Sequence, residues 1–295
     1  MTQPFTSTRV RFQSEGDRLV GNLHTPIHHD SDSIIVVTGS WTTVKEQQAE
    51  FYARLLAAEG FTTLTFDFRG FGQSEGAPRS WENPDRKISD IHAAVTYAVE
   101  QLGAARIGAL GICASSGYQA VNAASDSRVN SLAMIAPWLH NMQLVAPYYG
   151  GEAGVQERIA ASRAAHARYQ ETGEVDYIPA ISTTDPAAAM YGPYDYYLDP
   201  QRGDIPEWDK RIATMSWEPW LTFNPLISAP QITIPVHMIH SPDAAVPDGA
   251  QQFYDHLPGP KKLRWIEGTQ LDFYDQPTQV SHALRTTADH FRNTL

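Results

Sequence analysis

The chain holds a single cysteine among 295 residues, so it has no internal disulfide and nothing points to an oxidising compartment. Basic residues are also scarce: 22 Lys and Arg stand against 33 Asp and Glu, a formal charge of −11. That balance argues against a nucleic-acid partner or an anionic membrane surface, either of which would favour a basic patch. No apolar run approaches the ~20 residues of a membrane span. Met1 to Ser14 has neither a basic n-region nor an apolar core, so it does not read as a signal peptide. No Cys/His or carboxylate cluster shows ligand spacing, so no metal is expected, and no cofactor either. What remains is expected to be soluble and cytoplasmic, with 42% hydrophobic residues. That is enough to bury a large core, as one domain or as a domain with an insertion.

Taken in order, two strand-like pieces at 7–15 and 17–26 flank Glu15-Gly16-Asp17, a hairpin signal. Ser33 to Val37 is a continuous apolar run, as in a strand covered on both faces. Lys45 to Gly60 reads as a helix with Phe51, Leu55 and Leu56 on one face. Phe61 to Phe66 reads as a strand, and Ile88, Ile91, Val95, Ala98, Val99 and Leu102 mark a second helix. Strands follow at Arg106 and at Val129 to Ala136. Such alternation implies a mostly parallel sheet with helices on both faces. It stops at Pro137, resumes at the strand Ile234 to His240, and ends with a strand at Lys262 to Ile266 and a helix at Thr278 to Phe291. Between the breaks lie one helix, Val155 to Glu171, and Pro-rich sequence crowded with Tyr and Trp. The expected organisation is a core of residues 1–137 and 229–295 interrupted by an inserted cap, residues 138–228. The aromatic excess fits the pocket of an apolar or aromatic small-molecule substrate, the cap's own core, or a homodimer contact.

The most informative stretch is Arg106 to Tyr118, where an apolar strand ends in Gly111-Ile112-Cys113-Ala114-Ser115 and an Ala-rich helix follows. Strand, sharp turn and helix are what a nucleophile elbow needs: small neighbours allow a strained turn that exposes the central side chain. The helix N-terminus points its N–H groups at the same spot, which favours a thiolate and an oxyanion. The bland alternative is a buried Cys inside a parallel strand.

Strand order, elbow and insertion together resemble the α/β-hydrolase fold, and the loop Asp67-x-Arg69-Gly70-x-Gly72-x-Ser74 resembles the turn after that family's fourth strand. Lys45-Glu46-Gln47, the Gly-x-Cys-x-Ser elbow and the tail Asp272-Phe273-Tyr274-Asp275 are similar to the dienelactone-hydrolase-related branch that includes fungal polyketide transferase-like enzymes. The resemblance implies a cap after the sixth strand and acyl chemistry on an ester, thioester or lactone. It implies Cys113 as nucleophile, with the N–H of Ala114 and one near Ser40 or Trp41 as the oxyanion hole. It places the triad acid at Asp243, just past the seventh strand, and leaves Asp67 a turn residue.

One departure bears on the chemistry. The branch's base is a His two residues before the Asp of Asp-x-Tyr-Asp, and that place holds Gln270. An amide does not titrate in water. Three accounts follow: a different base, a non-hydrolytic reaction, or a catalytically weak protein that keeps the pocket to bind a ligand. His140, just past the sixth strand, is the candidate for a moved base; cap packing is its alternative. His240 could be buried against a helix. His24, His28 and His29 belong to the N-terminal hairpin, and His92, His282 and His290 are expected on solvated helix faces. Ser115 and Ser116 should cap or pack. Lys45 and Glu46 form either a site pair or a surface ion pair.

Overall fold

The computed structural model describes residues 4–28 and 32–295, so the expectation for His29 falls outside them. Among the described residues eight strands form one sheet: β1 (Phe5–Ser14), β2 (Asp17–Pro26), β3 (Ser33–Thr38), β4 (Thr62–Phe66), β5 (Arg106–Ile112), β6 (Val129–Ile135), β7 (Val236–His240) and β8 (Lys261–Trp265). Their spatial order is β1-β2-β4-β3-β5-β6-β7-β8. The pairs of β2 with β1 and with β4 are antiparallel, and all other neighbours run parallel. Glu15 (φ 47°) and Gly16 (φ 93°) make the two-residue hairpin turn, in which both central residues take positive φ. Every residue of β3 and β4 is buried, which is why these central strands read as unbroken runs.

Among the described residues six longer helices flank the sheet or the excursion above it: α1 (Gln48–Ala58), α2 (Pro84–Glu100), α3 (Ala114–Ser125), α4 (Gly151–Thr172), α5 (Pro247–His256) and α6 (Pro277–Thr294). Residues three apart on a strand face opposite sides, and β5 uses two glycines to let helices approach both of its faces. A Cβ at Gly108 would meet Phe291 of α6 at 3.1 Å, and one at Gly111 would meet the Ser116 backbone of α3 at 2.5 Å. α1 begins three residues later than its apolar pattern implies. The Lys45 N–H is taken by Asp67 Oδ1 (2.8 Å) and the Val44 N–H by Gln47 Oε1 (3.0 Å), so this stretch is a tied loop. α2 starts on an Asn83 cap, whose side chain accepts from the Arg86 N–H, with Pro84 in the first helical position.

Between β6 and β7 the regular alternation gives way to α4 and a set of short pieces. Tyr177–Pro179 pairs antiparallel with Arg211–Ala213, and Ile181–Ser182 pairs parallel with Met190–Tyr191. Aromatic rings hold this segment to the core, Trp41 stacking on Trp220 (5.0 Å) and Tyr196 lying edge-on to Tyr274 (5.1 Å), while Tyr197 packs on Trp208 within it (5.5 Å). Among the described residues no helix is long and apolar enough to cross a membrane.

Candidate active site

Cys113 sits at the junction of β5 and α3 with φ 56° and ψ −121°, a conformation that L-residues avoid at a cost of roughly 1–3 kcal/mol. The strain is held from both sides. The Cys113 N–H donates to the Ile135 carbonyl (3.0 Å), and its own carbonyl accepts from the Ser116 and Trp138 N–H groups (3.1 and 3.0 Å). Its side chain therefore leaves the strand and meets a cavity of about 1270 Å³ above the C-terminal ends of the strands.

Around the sulfur, four donors converge: the Ser40 and Tyr274 hydroxyls and the N–H groups of Ala114 and Trp41. Burial is the largest influence on the thiol and raises its pKa; the four hydrogen bonds favour the thiolate but do not reverse the shift. The two N–H groups come from the turn at Cys113 and from the loop after β3, where the resemblance expects an oxyanion hole. Ser40 is further linked to Tyr197 Oη (2.9 Å) and Tyr274 Oη (3.2 Å). Burial drives the pKa of Tyr274 far above the ordinary phenol value, so this hydroxyl acts as a donor and not as a base.

Gln270, which the resemblance puts at the base's position, has both ends of its amide engaged. Oε1 accepts from the Ala245 N–H (3.1 Å), while Nε2 donates to the Ala136 carbonyl (2.8 Å) and to Tyr274 Oη (3.3 Å). Gln270 thus reaches the sulfur's surroundings through Tyr274. Asp243 lines the same cavity, but its side chain is exposed, and Gln270 is held in this loop by the Ala245 backbone. His140 is elsewhere: Nδ1 accepts from Trp138 Nε1 (3.1 Å) and Nε2 donates to the Trp220 carbonyl (2.9 Å). With both nitrogens engaged and its pKa pushed down to about 4 by burial, it is a packing residue of the aromatic segment. His240 is buried too, with Nε2 on the Ala245 carbonyl (3.1 Å). Among the described residues no histidine lines the cavity.

Ser116 donates to the Gly111 carbonyl (3.0 Å), a packing role. Lys45 is neither a surface residue nor a cavity group. Its ammonium lies buried on Asp67 Oδ2 (2.7 Å), and Asp67 also accepts from the Lys45 and Gln73 N–H groups. Asp67 is therefore a buried anchor that joins the loop after β4 to the loop after β3, a larger part than a turn residue plays. Burial opposes the charge on Lys45, but Asp67 and Glu46 outweigh it and leave the pKa raised. Tyr274 and Tyr197 had no sequence signal of their own beyond the Asp-Phe-Tyr-Asp tail and the aromatic crowding.

Comparison with known proteins identifies the family. The model of the alpha/beta hydrolase family matches residues 34–283. The chain belongs to that family. Thiohydrolase aneE of Aspergillus aculeatus is 26% identical over 277 residues, covering 89% of this chain and 85% of that protein. Acyltransferase drtE of Aspergillus calidoustus is 25% identical over 248 residues, covering 79% and 78%. The crystal structure of hypothetical protein PA2218 from Pseudomonas aeruginosa superposes with a TM-score of 0.85 at 24% identity, covering 100% of this chain and 95% of that one, a likeness of fold. The α/β-hydrolase fold and membership among proteins of hydrolase and acyltransferase type are thus shared.

Proposed function

We propose that the protein transfers acyl groups from thioester donors through Cys113 and is a poor hydrolase. The observation that supports this reading is a strained, buried thiol under two N–H donors, with an amide and no imidazole at the position the resemblance gives to the base. Attack of the sulfur on a thioester forms one S–C bond and breaks another. The proton that leaves Cys113 goes to the departing sulfur, so the exchange needs no net acid or base. Attacking and leaving thiols have similar ordinary pKa values near ~8.5, and the Trp41 and Ala114 N–H groups support the oxyanion between the two states. The Ser40 and Tyr274 hydroxyls, both against the sulfur, carry the proton.

Release by water is a different matter. Water has a pKa near ~15.7 and needs a base to attack, and Gln270 cannot act as one. An acyl group on Cys113 should therefore wait for an acceptor with a better nucleophile, such as a second thiol or a free amine. The cavity walls, with Trp41, Trp138, Tyr149, Tyr197 and Trp220, favour an apolar or aromatic acyl chain. The printed names of the fungal relatives, a thiohydrolase and an acyltransferase, support acyl chemistry of this kind.

The test is a partition experiment with a neutral acyl thioester such as the butyryl ester of N-acetylcysteamine. Thiol release should show a burst of one equivalent per chain, followed by a slow phase that accelerates with added alkyl thiol. A fast, linear release of thiol and free acid with no response to acceptor would contradict the reading. The raised thiol pKa also favours a second reading, a ligand-binding protein without turnover. Saturable binding with no burst would select it.

A further inference from the structure

Glu82 lies in the loop before α2, outside every motif considered above, and its side chain is fully buried without touching the cavity. Its carboxylate gathers donors from three separate segments. Oε2 accepts from the Thr42 N–H (2.8 Å) and from Lys87 Nζ (2.8 Å). Oε1 accepts from Tyr118 Oη (2.7 Å) and again from Lys87 Nζ (2.7 Å). Thr42 directly follows Trp41 and takes φ 62°, a conformation that needs outside support in a residue with a side chain. Tyr118 lies on α3, which begins at Ala114. One buried carboxylate therefore ties the loop carrying the Trp41 N–H to the helix carrying the Ala114 N–H.

The surroundings fix this clamp. The Glu82 N–H donates to Ser216 Oγ (2.9 Å), and the Thr42 carbonyl accepts from Trp208 Nε1 (2.9 Å). Lys87 supplies the opposite charge while packed over the rings of Phe68 (4.6 Å) and Phe71 (4.5 Å). A buried ion pair of this kind is weak evidence for stability, because its desolvation offsets the attraction. Its value is geometric: an oxyanion hole works only when its donors are held in place before the charge develops.

We propose that Glu82 is a positioning residue that sets the spacing of the two oxyanion-hole donors. The proposal rests on the acyl-transfer reading of Cys113. Glutamine at this position keeps one acceptor oxygen and sets an NH₂ group against the Lys87 ammonium in place of the other, so it cannot hold all four of these bonds. Glu82→Gln should let one donor drift: the sulfur keeps its three other donors, whereas the oxyanion keeps only one.

Two reactions of the same sulfur separate the roles. Alkylation of Cys113 by iodoacetamide builds no oxyanion, whereas acylation by the butyryl thioester does. In Glu82→Gln the limiting acylation rate should fall about a hundredfold, the usual cost of losing one such donor. Half-saturation should stay within about twofold, and the alkylation rate, which loses one of four donors to the thiolate, should fall by less than about tenfold. Glu82→Gln/Lys87→Met removes the counter-charge as well and keeps the test open if the single variant folds poorly; the same split is expected. Acylation equal to that of the natural protein, or equal losses in acylation and alkylation, would overturn the proposal. If the natural protein is not acylated at all, the acyl-transfer reading fails by itself. The clamp is then decided by amide hydrogen exchange: faster exchange at residues 40–44 in Glu82→Gln supports it, and unchanged exchange overturns it.

Discussion

Replacing Gln270 by histidine asks whether one side chain separates this protein from a hydrolase. The substitution removes the amide's contacts to the Ala136 carbonyl and the Ala245 N–H. An imidazole can keep one of them, so the cost in stability should be about 1 kcal/mol. In return it brings a proton acceptor with a pKa near ~6.5. General base catalysis contributes 10²- to 10⁴-fold, and the lower end is expected. The Asp243 carboxylate is exposed, and in this fold the acid orients the imidazole. Formation of free acid from the butyryl thioester should rise roughly a hundredfold, about 2.7 kcal/mol of barrier. The rise should have an inflection near pH ~6.5, and acyl-Cys113 should cease to accumulate. The assay is carboxylic acid release from pH 5 to 9, with Cys113→Ala in the same background as control. A folded Gln270→His protein that gains no hydrolysis, or whose gain survives Cys113→Ala, would refute the reasoning.

Further outcomes follow from the same contacts. Tyr274→Phe removes a hydroxyl from the sulfur; acylation should fall about tenfold and its pH profile should move to higher pH, since a donor that favours the thiolate is gone. Asp67→Asn leaves Lys45 buried without its main partner and should lower unfolding free energy by about 3 to 5 kcal/mol in urea melts, with secondary structure kept. His140 has its pKa depressed from 6.5 to about 4, so the unfolded chain binds its proton first as pH falls. Its contribution is fully present above pH ~6.5 and is lost on acidification toward the folded value. Comparing urea melts at pH 7.5 and 4.5, His140→Phe should lose roughly 2.5 kcal/mol less than the natural protein; equal losses would show that this group is not the source.

The sheet was legible because central parallel strands must be apolar on both faces. Ser33–Thr38 and the run from Val129 need no other explanation. The elbow was legible because strained backbone restricts its neighbours, and Gly111 is demanded by the Ser116 backbone. Less could be read where tertiary contacts override local pattern. Pairing of Lys45 and Gln47 with distant or turn partners delays α1. Strands of two or three residues in the excursion have no period to detect. His290, expected on a solvated face, instead meets Ser131 Oγ at 2.8 Å, because the last turns of α6 lie across β6. Gln270 was singled out by the resemblance, but its link to the sulfur through Tyr274, and the burial of His140 between two tryptophans, depend on contacts that no spacing encodes.

The central claim is a long-lived acyl group on Cys113. The direct measurement is intact mass of the protein after incubation with the butyryl thioester, followed by peptide mapping. The expected result is one added butyryl group per chain, mapped to Cys113, persisting for minutes in buffer, removed by added alkyl thiol and absent from Cys113→Ala. Rapid release of butyrate with no adduct, at a rate unaffected by Cys113→Ala, would contradict it.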